Sequence, residues 1–258
     1  MFHLFSDIFA CRDNALVRMD ARAKLVVAFV TIILIILSTQ GGLPLAVLIG
    51  CLGGMFALRL PIRLVLGRLA APMGVVLVLV VLQSFTYGSS PLFAVSLGPW
   101  HGMVKSDGLV HGLLIGLRVL GSVSVMVLLS SVTPAHKIFQ ALRWFRVSKA
   151  WVEIAMLMYR YTFALLDLTE DVAAAQKMRL GYAGVKRSLT SMGVLVGAVV
   201  VQSLDQSGRT HQAMTLRGYN GVMPYGPLPI MRKCDRCIMA IALCGVGLIF
   251  LLSEWRNF

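Results

Sequence analysis

Acidic residues are scarce in this chain: 11 Asp and Glu stand among 258 residues, against 24 Lys and Arg. None of the 11 lies inside the apolar runs described below, whereas a stand-alone ion carrier would place carboxylates within its spans. Charge of either sign is thin, at 14% of residues, where a soluble domain carries about 25%. Other features are missing as well. There is no G-x-x-x-x-G-K-[ST] phosphate loop, so ATP is not expected to be hydrolysed by this chain. No nucleophile or acid–base constellation of recognisable spacing appears, which weakens the reading as a membrane enzyme acting on lipid headgroups. The five cysteines (positions 11, 51, 234, 237 and 244) fall in spans or in segments expected inside the cell, so no disulfide framework is implied. Cys234-Asp-Arg-Cys237 is a lone pair without a nearby His, and His101, His111, His136 and His211 share no helical spacing; no metal site is expected. The first 23 residues mix acid and base without a long apolar centre, so the first span is expected to act as its own targeting signal.

What is present is grease. With 58% hydrophobic residues and a mean hydropathy of +0.82, the composition is that of an integral membrane protein. A helix needs about 20 mostly apolar residues to cross a bilayer, because its backbone must bond internally where water is absent. Five segments meet this expectation: 24–40, 43–58, 70–87, 109–132 and 237–253, the second being short and rich in glycine. A sixth run, Met192 to Val201, spans only ten residues between Lys186, Arg187, Asp205 and Arg209, and is read as lying at or under the membrane.

The net charge of +13 would suit a nucleic-acid binder only if it formed a soluble basic face, but the basic residues fall between apolar runs. It reads instead as topology. With the N-terminus inside, all the Lys and Arg except Lys105, Arg118 and Arg256 fall on the cytoplasmic side, as the positive-inside rule requires. The chain is therefore expected to be an all-α, multi-pass membrane protein with its N-terminus and residues 133–235 in the cytoplasm. Residues 1–132 are expected to form an N-terminal membrane region with four spans, 133–235 a cytoplasmic helical region, and 236–258 a C-terminal transmembrane helix.

Region 133–235 opens with Thr133-Pro134, a helix-start signal, followed by Lys137, Arg143, Arg146 and Lys149 interleaved with Ile138, Phe139, Leu142, Trp144 and Phe145. That pattern suits a helix at an anionic headgroup layer, or a plain basic loop. From 152 to 180 neither Pro nor Gly interrupts a helical pattern, and Glu153, Arg160 and Asp167 recur every seventh residue along one stripe. Gly181 is expected as its C-terminal cap. A second helix, from about 188, carries Gly193 and Gly197 at the spacing of a close-packing pair and ends in Leu216-Arg217-Gly218. The two endings repeat each other. "AQKMRLGYAG" starts at Ala175 and "AMTLRGYNG" at Ala213; each runs Ala-x-x-x-Arg into Gly-Tyr-x-Gly, with Leu180 extra in the first. Taken singly, each is a capped helix with an Arg at its foot. Taken together, they suit two levers, since Arg forks onto carboxylates and Gly lets a partner backbone approach.

Arg118 stands alone in the fourth span, and such a residue usually faces the protein interior and pairs there; Asp107 and Glu153 are candidate partners. Structural pairing is preferred over a transport role, and Glu153 and Arg160 are grouped with Arg118 as structural intramembrane charges.

Three stretches carry a family resemblance: Met19-Asp-Ala-Arg-Ala-Lys24, Val152-Glu-Ile-Ala-Met-Leu-Met-Tyr-Arg-Tyr161 and the two Arg-Gly endings. Over the whole chain, and most strongly from 150 to 221, the sequence resembles the transmembrane T component of energy-coupling factor transporters, above all the CbiQ type of cobalt and nickel uptake systems. The resemblance implies that the chain is non-catalytic and binds no cofactor itself, with ATP and Mg held by two ATP-binding cassette subunits (CbiO-like). It further implies a substrate-binding membrane subunit (CbiM-like) and allows a small accessory membrane subunit (CbiN-like). In the family, paired Ala-Arg-Gly motifs dock on the ATP-binding subunits. Carried over, the coupling residues are Ala213, Leu216, Arg217 and Gly218 in the second copy, with Leu216 where the family usually has Ala. In the first copy they are Ala175, Arg179 and Gly181, with Leu180 inserted before the glycine.

Overall fold

A computed structural model describes residues 19–58, 62–87, 91–97, 100–221, 223 and 231–255. Expectations placed on Cys11, Arg12, Arg18, Arg59 and residues 256–258 lie outside them. The described chain is helical: α1 (Ala21–Leu37), α2 (Gly42–Ala57), α3 (Ile62–Thr86), α4 (Ser106–Val132), α5 (Ala135–Trp144), α6 (Lys149–Met178), α7 (Val185–Leu216) and α8 (Lys233–Trp255). The one element outside the expected all-α pattern is a small antiparallel hairpin, β1 (Pro91–Leu97) and β2 (Trp100–Lys105), paired from Pro91 and Lys105 to Leu97 and Trp100. The chain divides into two compact units, one of residues 1–138 and 230–258, the other of residues 139–229.

In the first unit, α1 starts where Asp20 caps it: the carboxylate accepts from the Arg22 N–H at 3.5 Å and lies 3.9 Å from the Arg22 guanidinium. The helix stops at Ser38, whose N–H bonds the Leu34 carbonyl at 2.9 Å and whose hydroxyl donates to the Gln40 carbonyl at 2.9 Å. A core of Ala28, Ile35, Leu43, Cys51 and Val125 joins α1, α2 and α4, with Phe250 of α8 packed against it.

Lipid is as apolar as Leu, so burial of grease does little to hold membrane helices together; close backbone approach does more. Glycines on α4 provide it. A Cβ at Gly108 would meet the Gln83 and Tyr87 carbonyl oxygens at 2.5 Å, one at Gly112 the Val80 Cα at 3.1 Å, and one at Gly116 the Val76 side chain at 2.7 Å. This stripe, four residues apart, seats α4 on α3. Gly121 does the same against α2, where a Cβ would lie 3.2 Å from the Pro44 carbonyl. Polar side chains along the contact find partners: Gln83 and His111 are 3.1 Å apart, His111 stacks on Tyr87 at 4.5 Å, and Arg68 donates to Ser130 and Ser131 at 3.2 Å.

Several expectations change. Among the described residues Gly193 and Gly197 pack against no other element, since an added Cβ at either would meet nothing within 4 Å. The short run 192–201 is the middle of the 32-residue helix α7. Among the described residues, four helices are long and apolar enough to cross a membrane by length and composition: Val65–Thr86, Asp107–Val132, Val185–Leu216 and Lys233–Ser253. The first two expected spans are the shorter helices α1 and α2, of 17 and 16 residues. The run 192–201 thus lies within one continuous helix that ends at Leu216, as expected of the helix starting near 188.

Candidate functional site

The second unit is built on an antiparallel pair. Helix α6 runs into a turn at 179–184 and α7 returns beside it. The Tyr161 hydroxyl lies 2.7 Å from the Thr210 hydroxyl, and the Gln176 side-chain amide donates to the Ser191 carbonyl at 3.0 Å. Between the helices lies an open cavity of about 990 Å³ lined by Tyr161, Asp167, Asp171, Gln206, His211 and Tyr219 among others. Tyr159 stands edge-on between Phe139 and Phe163, with ring centres 5.9 and 5.1 Å away.

The two repeated endings share one geometry. After α6, Arg179 takes the C-cap, the Leu180 N–H bonds the Lys177 carbonyl at 3.1 Å and the Gly181 N–H bonds the Gln176 carbonyl at 2.9 Å. After α7, Arg217 takes the C-cap, the Gly218 N–H bonds the Thr215 carbonyl at 3.0 Å and the Tyr219 N–H bonds the Met214 carbonyl at 3.0 Å. Both are the paired-bond ending in which the residue after the cap turns left-handed. That residue is Gly218 at φ 80 in the second case and Leu180 at φ 56 in the first.

The expected role of Gly181 as the cap is therefore corrected. Leu180 does not lengthen the ending; it occupies the place that glycine takes in the other copy, at the steric cost of a left-handed Cβ. Gly181 follows it and serves close approach: a Cβ there would meet the Ser191 hydroxyl at 2.7 Å and the Gln176 carbonyl at 2.9 Å. Arg179 and Arg217 are thus structural equivalents, both exposed. They sit at opposite ends of the hairpin, because Gly181 lies level with Ser191 and α7 runs on to Arg217. At 1.5 Å per residue from 191 to 217, that is a separation on the order of 40 Å. Ala175 and Ala213 are exposed one turn before each Arg, and Leu216 is 90% exposed.

The other singled-out residues separate. Glu153 is buried, and its carboxylate accepts the Met223 N–H at 3.2 Å, tying the start of α6 to the segment beyond the second ending. Arg160 and Asp167, expected on the same stripe, are exposed; the Arg160 guanidinium lies 5.9 Å from the Tyr161 ring. Arg118 is half-buried on α4, and its Nε is enclosed without a hydrogen-bond partner among the described residues. Asp107, one expected partner, stands eleven residues earlier on the same helix, roughly 16 Å along its axis. Gln176 and Ser191, which brace the first ending, carried no signal in the sequence, whereas Tyr182 is the Tyr of the repeated Gly-Tyr-x-Gly. The glycines at 108, 112 and 116 did carry one, in their regular spacing.

Comparison with known proteins decides the class. The family model for the cobalt transport protein CbiQ matches residues 12–226. The chain belongs to the CbiQ family. An uncharacterized protein of Methanocaldococcus jannaschii is 27% identical over 247 residues, 95% of this chain and 92% of that protein. A fused cobalt transport protein, CbiMQ, of Methanocorpusculum labreanum is 28% identical over 127 residues, 49% of this chain but only 21% of that protein. The energy-coupling factor transporter transmembrane protein EcfT of Lactococcus lactis is 25% identical over 221 residues, 81% of this chain and 82% of that protein. As a member of this family the chain is a multi-pass transmembrane component of a transporter, a class that is generally non-catalytic.

Proposed function

We propose that this chain is the membrane scaffold that couples ATP hydrolysis by separate subunits to uptake of a transition-metal ion, cobalt foremost and nickel second. Arg179 and Arg217 are the two contact points. The observation that carries this reading is the matched pair of endings: the same hydrogen bonds place an exposed Arg at the C-cap of α6 and of α7, at opposite ends of one hairpin. A helix C-terminus already favours a cation through its dipole, so the Arg side chains have no need of a carboxylate at their own helix ends. Exposed and so placed, they suit two acidic grooves about 40 Å apart, as a pair of ATP-binding cassette subunits (CbiO-like) would present.

The ATP and Mg would then sit on those subunits. The metal ion would be handled by a CbiM-like membrane subunit, a partner suggested by the relative in which the two names are joined in one chain. A CbiN-like accessory subunit fits the same assembly. The hairpin and the N-terminus would face the cytoplasm of a bacterial cell, with α7 lying along the membrane rather than through it. The test is purification of the full chain from its native membrane: an ATP-binding subunit and a second membrane subunit should come with it at fixed ratio. Recovery of the chain alone from mild detergent, with metal uptake intact in vesicles that hold only this chain, would contradict the reading.

A further inference from the structure

Although Arg179 and Arg217 end their helices in the same way, the ground beneath them differs. The place of Gly218 at the second ending is taken at the first by the exposed Leu180, and the residue after Gly218, Tyr219, lines the cavity between α6 and α7, whereas the residue after Leu180 is Gly181. The first ending is closed by a ring of contacts. The Ser191 hydroxyl donates to the Gly181 carbonyl at 2.9 Å, while the Gln176 amide nitrogen donates to the Ser191 carbonyl at 3.0 Å. The Gln176 amide oxygen accepts the Tyr182 hydroxyl at 2.8 Å, and its backbone carbonyl accepts the Gly181 N–H at 2.9 Å. Both side-chain bonds of Gln176 agree on one orientation of its amide, nitrogen toward a carbonyl and oxygen toward a hydroxyl.

Gln176 of α6, Ser191 of α7 and Gly181 and Tyr182 of the turn between them are thus fixed against one another beside Arg179. The geometry points to Ser191 as a positioning residue for the first contact point: through Gly181 it fixes the direction in which Arg179 leaves α6, so that motion of a partner at Arg179 is passed rigidly into α7. This rests on the coupling role proposed above. It adds that the first contact point is braced directly onto α7 by side-chain hydrogen bonds. Gly181 is required for that ring whatever its backbone angle, because any side chain there would push Ser191 away.

Two measurements test it separately. In the full-length protein in lipid nanodiscs, hydrogen exchange at 179–183 should quicken in Ser191→Ala and return to the wild-type rate in Ser191→Thr, which keeps the hydroxyl; exchange at 217–219 should not change. In the assembled transporter, Ser191→Ala should retain its ATP-binding subunits yet move severalfold less metal per ATP hydrolysed, and Ser191→Thr should restore the ratio. Unchanged exchange in Ser191→Ala would show that the ring holds nothing. Faster exchange with an unchanged transport ratio would reduce it to a local staple. Either result overturns the proposal. Failure of the coupling role itself shows elsewhere, in Arg179→Glu, which would then keep its ATP-binding subunits and transport normally.

Discussion

Leu180 and Gly218 occupy the same place, one residue past the C-cap of α6 and of α7, with φ of 56 and 80. In the first copy a branched side chain therefore sits where glycine sits in the second. Leu180→Gly should relieve the left-handed strain of about 1–2 kcal/mol while costing roughly 0.5–1 kcal/mol in unfolded-state freedom, for a small net gain in thermal stability. Deleting Leu180 should do the opposite. It moves Gly181 into the left-handed place but brings Tyr182 to the position against Ser191, where no Cβ fits. Differential scanning of the two variants in detergent checks the sign of each.

Much of this was legible in the sequence. The apolar runs gave the helices of the first unit, and the repeated Ala-x-x-x-Arg marked both endings of the second. Alignment by letters failed at Leu180 because it matches glycine to glycine, whereas backbone hydrogen bonds align the C-caps. Glycine spacing misled in one place and was overlooked in another. Gly193 and Gly197 have the spacing of a packing pair and face open space, while Gly108, Gly112 and Gly116 have the same spacing and carry the α3–α4 contact; only the neighbouring helix distinguishes them. Ser191 and Gln176 were invisible because a polar residue on a long helix carries no mark of the turn that folds back onto it.

That contrast among glycines is itself testable. Gly108→Ala must displace backbone carbonyls of α3 that lie 2.5 Å from the new Cβ, and overpacking of this kind costs about 1–3 kcal/mol. Gly193→Ala meets open space and should gain up to about 1 kcal/mol in helix propensity. Thermal unfolding should fall for the first and hold or rise for the second.

Topology turns on α7. If it lies along the membrane, the segments 24–40, 43–58, 70–87, 109–132 and 237–253 form five spans, and a reporter fused after Phe258 is outside the cell. If α7 crosses, a sixth span brings the reporter inside. The account predicts an external signal after Phe258, and internal signals after Tyr182 and after Asn220; an internal signal at the C-terminus would mean that α7 spans.

Arg118 offers a further check within the membrane. Its Nε is enclosed without a hydrogen bond among the described residues, so Arg118→Leu removes one unsatisfied buried donor. Loss of such a group should leave the thermal stability of the isolated protein unchanged or raised, whereas a broken buried pair would lower it by about 3–5 kcal/mol.

The most direct measurement is charge reversal at both matched endings together. Removing an interfacial Arg from a desolvated carboxylate costs on the order of 2–5 kcal/mol, and an exposed rim charge far less. Arg179→Glu with Arg217→Glu should therefore abolish co-purification of the ATP-binding subunits while expression and membrane insertion stay near wild type, since neither Arg holds a span in place. A doubly reversed chain that still assembles with its ATP-binding subunits and supports normal metal uptake would leave both arginines as helix caps and contradict the coupling account.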